Sequence, residues 1–251
     1  MTDDLQHAAR LALSLLDLTS LNDDDSDRSI ESLCRRTRTP VGYPAAVCVY
    51  PAFVTTAQRT LKALDLAGKV KVATVTNFPD GGDDIMAAAR EAREAAAAGA
   101  DEVDVVFPYR ALLDGDEETG RELVACCDQG CGDATLKVIL ETGELKDPAL
   151  IRRAAELAIE GGATFLKTST SKNAVDASLA TTELLLDVIK ASQRDVGLKI
   201  AGGIRTTEDA LAYLQLAERV MGRAWITPQH MRFGASDLLD DLLANSGLGS
   251  A

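Results

Sequence analysis

Lys167 stands in the run "TFLKTSTSK" (164–172), among apolar and hydroxyl-bearing neighbours, with Lys172 five residues later. Lys199 holds the same place in "LKIAGG" (198–203), while "DEVDVV" (101–106) contributes Glu102 and Asp104 and "LKVILE" (136–141) contributes Lys137 and Glu141. A neutral lysine amine attacks a carbonyl to form an imine, but an ordinary lysine titrates near ~10.4 and is almost wholly protonated at neutral pH. A second ammonium nearby, together with removal from water, penalises the charged form and leaves a reactive neutral fraction. That pairs Lys167 as nucleophile with Lys199 as the group that perturbs it. The imine is an electron sink that stabilises a carbanion on the adjacent carbon, and a carboxylate within reach moves the proton. Asp104 is the candidate, and this chemistry requires neither a metal nor a redox cofactor.

A single lysine in a strand reads as a surface residue whose stem snorkels over apolar neighbours. Three lysines and an aspartate on successive strands read differently, because buried charges are kept where they are paired or used. Alternation along a strand puts Phe165, Lys167 and Ser169 on one face, Glu102, Asp104 and Val106 on another, and Lys137 on the side of Ile139 and Glu141. If those faces point inward, a ring of apolar strands encloses several charges.

The elements that position these residues recur along the chain. Strand-like runs occur at 45–50, 71–76, 101–107, 136–141, 164–170 and 198–203, with helical periodicity at 83–99, 148–162 and 206–220 between them. Strand followed by helix at this interval is the pattern of parallel βα units. Two more strands are expected, at "ERVMG" (218–222) and "MRFGA" (231–235), which brings the count to eight. Eight units favour a closed (β/α)8 TIM barrel, whose active groups sit at the carboxyl ends of the strands, over an open dinucleotide-binding sheet, whose GxGxxG fingerprint is missing. Residues 1–40, with an amphipathic helix in "DLQHAARLALSLLD", are expected to be a helical cap preceding the first barrel strand, and the 251 residues a single domain.

Composition narrows the partners. With 46% hydrophobic and 26% charged residues and no long apolar run, the chain is expected to be soluble, cytoplasmic and unattached to membranes. A formal charge of −13 disfavours nucleic acid, whose contacts need clustered Lys and Arg. Five cysteines without paired CxxC spacing read as reduced thiols, and two distant histidines, His7 and His230, give no basis for a metal centre. Cys48, in the first of the six runs, is expected to be an ordinary buried thiol rather than one facing substrate.

The segments "DLTSLNDDD", "VCVYP", "VATVTNFPDG", "GADEVDVVFPYRALLDG", "LKVILETGEL", "FLKTSTSK" and "AGGIRT" closely resemble, in the same order, those of bacterial deoxyribose-phosphate aldolases. The resemblance runs from about residue 8 to residue 243. It implies a class I aldolase on a TIM barrel that reversibly cleaves 2-deoxy-D-ribose 5-phosphate to acetaldehyde and D-glyceraldehyde 3-phosphate through a lysine imine. By the family pattern Lys167 forms the imine, Lys199 perturbs it and Asp104 relays protons. Asp17 of "LLDLTSL" matches a family position near the site and is carried over as a supporting charge, with capping of the first helix as its plain structural role. Small aldehydes and a sugar phosphate are the implied partners, with no cofactor, and the chain is expected to be a monomer or homodimer.

Phosphate binding falls to glycine-rich turns and helix N-termini, here Gly202, Gly203 and Arg205 of "AGGIRT", Gly234 and Ser236 of "FGASD", and Lys172. Two positions depart from the family pattern: Ser171 stands where a glycine is expected, and Asp237 where a second serine is expected. A serine can serve at 171 provided the backbone there does not need positive φ. An aspartate facing the anion would oppose binding, whereas one turned to a helix N-terminus would not. The expectation is a relaxed phosphate requirement. Two other readings keep the barrel: a lysine-imine aldolase acting on an unphosphorylated hydroxyaldehyde, and a phosphate-binding barrel without catalysis.

Overall fold

Eight parallel strands, hydrogen-bonded in sequence order, close on themselves in the computed structural model, which describes residues 2–172 and 177–247. They are β1 (Leu16–Thr19), β2 (Ala46–Val49), β3 (Lys71–Thr76), β4 (Glu102–Val106), β5 (Thr135–Ile139), β6 (Phe165–Lys167), β7 (Gly197–Ala201) and β8 (Met231–Ala235). β1 closes the ring by pairing with both β2 and β8. The helices are α1 (Thr2–Ser14), α2 (Asp27–Arg36), α3 (Val54–Ala63), α4 (Ile85–Ala97), α5 (Tyr109–Leu113), α6 (Glu117–Cys131), α7 (Thr142–Leu145), α8 (Pro148–Glu160), α9 (Leu179–Ser192), α10 (Thr207–Met221) and α11 (Leu238–Asn245). This is the (β/α)8 TIM barrel expected from the alternation of strand and helix.

Two expected elements are corrected. The first strand is not at 45–50 but at Leu16–Thr19, inside the stretch read as a cap; only α1 precedes it, and α2 is an ordinary barrel helix after it. "ERVMG" is not a strand but the last turn of α10 and its C-cap Gly222. That helix begins at a capping box formed by Thr206 and Asp209, and its apolar stripe of Ala210, Tyr213, Leu214 and Ala217 continues at helical spacing to its end. α1 packs on α10 and α11 with Ala8, Ala9, Ala12 and Leu13 buried.

Each strand buries both faces. The outward faces, among them Val47, Val72, Val103, Val105, Leu136, Val138, Leu166, Leu198 and Phe233, pack against the helices. Each such side chain contributes about 1.5–3 kcal/mol by leaving water. The inward faces divide into two halves. Leu21 with Ala46, Cys48, Ala73 and Val75 forms a small apolar cluster on the side of β2 and β3. β4 to β8 and β1 turn charged side chains inward, and the register sets Asp104 beside Lys137, Lys167 beside Lys199, and Lys199 beside Arg232. Gly197 leaves room for the Phe165 ring, with which any β-carbon at that position would collide. Among the described residues, no helix is long and apolar enough to cross a membrane.

Candidate active site

Asp104, in the middle of β4, gathers the lysines. Its Oδ2 accepts hydrogen bonds from Lys167 Nζ at 2.9 Å and Lys199 Nζ at 2.8 Å, and its Oδ1 accepts from Lys137 Nζ at 2.9 Å. Lys199 also forms an ion pair with Asp17 Oδ2 at 2.6 Å, and Lys137 donates to Glu102 Oε2 at 2.5 Å. Arg232 closes the network: one arm reaches Asp17 Oδ1 at 2.7 Å and Glu102 Oε2 at 3.1 Å, and the other Glu102 Oε1 at 2.7 Å. Every member is buried. Alternation within the strands explains the convergence, since each of these residues occupies an inward position of its strand, on neighbouring levels of the barrel.

The network separates the lysines electrostatically. Burial and the neighbouring Lys199 hold the Lys167 amine below the ordinary lysine value, with Asp104 opposing them. Burial acts against the charge on Lys199 too, but Asp104 and Asp17 outweigh it and hold that ammonium well above the usual value. Lys137 is raised in the same way, where Asp104 and Glu102 overcome burial. Asp104 is ionised against its own burial by Lys137, Lys167 and Lys199, which hold it well below the usual carboxylate range. The arrangement offers a nucleophilic amine, a fixed ammonium and a carboxylate bridging them.

A cavity of about 250 Å³ opens over this network. Lys167 and Lys199 lie on its wall, together with Ser171, Lys172, Gly202, Gly203, Arg205, Gly234, Ser236 and Asp237, so the residues singled out for phosphate line the same space as the two lysines. Asp104 and Asp17 are fully buried and are not on the wall. Asp17 is held by Lys199 and Arg232 from within β1, so it caps no helix. Gly234 has a spatial reason: a β-carbon there would stand 3.0 Å from Lys199 Cε and 3.2 Å from Ala201 Cβ. Gly202 and Gly203 take successive positive φ angles of 97° and 77° in the turn after β7, a backbone that L side chains rarely adopt.

The two departures from the family pattern fall in this cavity. Ser171 has φ 60°, so the serine occupies the left-handed backbone that a glycine would take without penalty. Asp237 is exposed on the cavity wall at the N-cap of α11, and its side chain makes no capping hydrogen bond there. Lys172 is engaged elsewhere: Nζ donates to the Leu21 carbonyl at 2.6 Å and lies 5.8 Å over the Tyr50 ring. The turn carrying Ser171 and Lys172 is held from below by buried Glu141, which accepts from Thr170 Oγ1 at 2.5 Å, while Thr170 Oγ1 accepts from the Lys172 amide at 3.1 Å. Cys48 is buried in the apolar half of the interior, and burial pushes its thiol up.

Arg232 is the site residue that sequence reading passed over. The signal was present in "MRFGA", where period-2 alternation puts Arg232 on the face of Gly234. Glu141 stands out in "LKVILE" by its charge, but its contact with Thr170 carries no sequence signal, because it joins the segments that follow β5 and β6.

The family of DeoC/LacD aldolases matches residues 11–242. A candidate deoxyribose-phosphate aldolase from Toxoplasma gondii is 27% identical over 100% of this chain and 98% of its own, with a TM-score of 0.90. Another from Coccidioides immitis is 28% identical, covering 94% of this chain and 85% of its own, with a TM-score of 0.80. A deoxyribose phosphate aldolase from Aeropyrum pernix, described as tetrameric, shares the fold at 22% identity and a TM-score of 0.77, covering 98% of both chains. With the match spanning all eight strands, the chain belongs to the DeoC/LacD family of aldolases.

Proposed function

We propose that this aldolase works through an imine on Lys167 and cleaves 2-deoxy-D-ribose 5-phosphate to acetaldehyde and D-glyceraldehyde 3-phosphate. The observation that carries the reading is the buried Lys167 amine on the cavity wall, sharing one oxygen of Asp104 with Lys199. The neutral amine adds to C1 of the open-chain sugar and loses water to give an iminium ion. Removal of the C3 hydroxyl proton breaks the C2–C3 bond, and the electron pair moves into the iminium to form an enamine. Protonation at C2 and hydrolysis then release acetaldehyde and restore the amine. In this reading Asp104 relays the protons, and Lys199 stays protonated throughout, with Asp17 as its second carboxylate. Reduction with borohydride in the presence of acetaldehyde tests the step: the expected result is an irreversible mass gain on Lys167, and an unlabelled Lys167 in folded protein refutes it.

Phosphate recognition is assigned to the wall formed by Gly202, Gly203, Arg205, Gly234 and Ser236, where exposed Arg205 supplies a cation and the paired glycines supply backbone N–H groups. Asp237 on the same wall supports a relaxed phosphate requirement, because its carboxylate and the phosphate repel. That one observation favours the second reading, in which unphosphorylated 2-deoxyribose or a related hydroxyaldehyde is handled comparatively well. Measuring kcat/KM for the phosphorylated and unphosphorylated sugars side by side decides between them. A large preference for the phosphate ester supports the first reading, and near-equal values support the second.

A further inference from the structure

Seven ionisable side chains stand inside the barrel in one hydrogen-bonded set, the cations Lys137, Lys167, Lys199 and Arg232 and the carboxylates Asp17, Glu102 and Asp104, none more than 7% exposed. Fully ionised, the set holds one positive charge in excess. An uncompensated charge among buried side chains is costly, so the set is most stable with one proton fewer. Which group gives it up follows from the contacts. Lys137 touches two carboxylates, Glu102 and Asp104; Lys199 touches two, Asp17 and Asp104; Lys167 touches Asp104 alone, at an oxygen already shared with Lys199. Arg232 cannot give up a proton in a protein and is held by Asp17, Glu102 and the Pro228 carbonyl.

We propose that Arg232 is the positioning residue that makes Lys167 a free amine. Its permanent charge offsets one of the three carboxylates, leaving three lysines to share the equivalent of two, and the lysine with the fewest partners goes without. Lys199 acts on Lys167 directly, whereas Arg232 acts through Asp17 and Glu102, from the strand on the far side of β7. The remaining groups facing Lys167 do not supply the excess. Cys48 on β2 is an uncharged thiol at neutral pH, β3 contributes Ala73 and Val75, and Glu141 beyond β5 is engaged by Thr170. Lys172, Arg205 and Asp237 lie around the cavity with access to water, where their charges are screened.

The proposal rests on Lys167 being the reactive amine, and borohydride trapping of the unmodified protein tests that point by itself. The test of Arg232 needs no turnover: trace acylation of the folded protein across pH, quantified at Lys167 by peptide mass spectrometry, reports the protonation of that amine. Arg232→Gln removes the excess charge, so the midpoint of Lys167 acylation moves to higher pH, with about a tenfold loss of labelling at neutral pH for each unit moved. Glu102→Gln adds to the excess, so its midpoint moves to lower pH. The double variant Glu102→Gln/Arg232→Gln restores the balance and returns the midpoint to that of the unmodified protein, and Arg232→Lys, which keeps the charge, stays near it. A merely structural Arg232 would lower the folded fraction and leave the midpoint unmoved. An unchanged midpoint in Arg232→Gln overturns the proposal, as do single variants that shift in the same direction. Should Arg232→Gln fail to fold, Glu102→Gln and the double variant decide: a downward shift that the second change reverses supports the proposal, and no shift in Glu102→Gln overturns it.

Discussion

Asp104 is the residue on which three ammonium groups converge, and its neutral isostere should show how much of the interior depends on it. Asp104→Asn leaves Lys137, Lys167 and Lys199 around an uncharged amide. Breaking a buried ionic contact from one side typically costs about 3–5 kcal/mol, so a lower denaturation midpoint in urea is expected along with loss of retro-aldol turnover. Lys167→Met has the opposite signature, because it removes the least-paired buried amine. Trapping by acetaldehyde and borohydride should vanish while stability is kept or slightly raised; a melting temperature well below that of the parent would contradict this. At this scale the sequence was informative where chemistry repeats on strands. Lys167, Lys199 and Asp104 stand out because each breaks an apolar run. Arg232 did not, since a lone arginine in a short strand looks like any snorkelling side chain until its carboxylate partners, 130 and 215 residues away, are seen beside it.

The turn after β6 and the N-terminus of α11 both line the cavity. Ser171 at φ 60° bears a left-handed backbone, and Ser171→Gly should relieve it, raising stability by roughly 0.5 kcal/mol once the entropy of the added glycine is set against the relief. Paired urea melts would read the difference, and a destabilised variant would mean that the serine hydroxyl makes a compensating bond. Asp237→Ser should lower KM for the phosphorylated sugar severalfold and leave the unphosphorylated sugar unchanged, as comparative kinetics on both would report; equal effects on the two would mean that Asp237 acts on the α11 terminus rather than on the anion. Elements were legible in proportion to their apolar content. The strands rich in valine and isoleucine declared themselves, but β1 reads "LDLT", four residues of which only Leu16 and Leu18 face outward, with Asp17 turned to Lys199 and Arg232. With β1 so short of apolar residues, "ERVMG" offers itself as a strand instead, but its Val220 and Met221 belong to the apolar stripe of α10.

For the whole molecule, the ionic interior ties stability to pH with a definite sign. Asp17 and Asp104 are held below their unfolded values, so their contribution is present above about pH 4 and is lost as the pH falls through their folded values. Lys137 and Lys199 are raised, so theirs is present below about pH 10 and is lost at higher pH. Chemical denaturation across this range should give a plateau near neutrality that falls steeply on both flanks, and stability that keeps rising below pH 4 would contradict the assignment. The eight-stranded closure was legible as a count and a rhythm, because the alternation of βα units survives the misplacement of one strand. What the count did not carry was the seam, where β1 and β8 meet with Leu16 beside Phe233. Asp17 and Arg232 face each other across that seam from positions 215 residues apart. At a synthesis rate of about 5–20 residues per second, Asp17 emerges from the ribosome roughly 10 to 40 s before the guanidinium that neutralises it. Through most of that interval the nascent chain lacks Lys199 as well, and throughout it has neither a closed sheet nor a balanced interior, so under the proposed charge balance the Lys167 amine is set free only with the last strand.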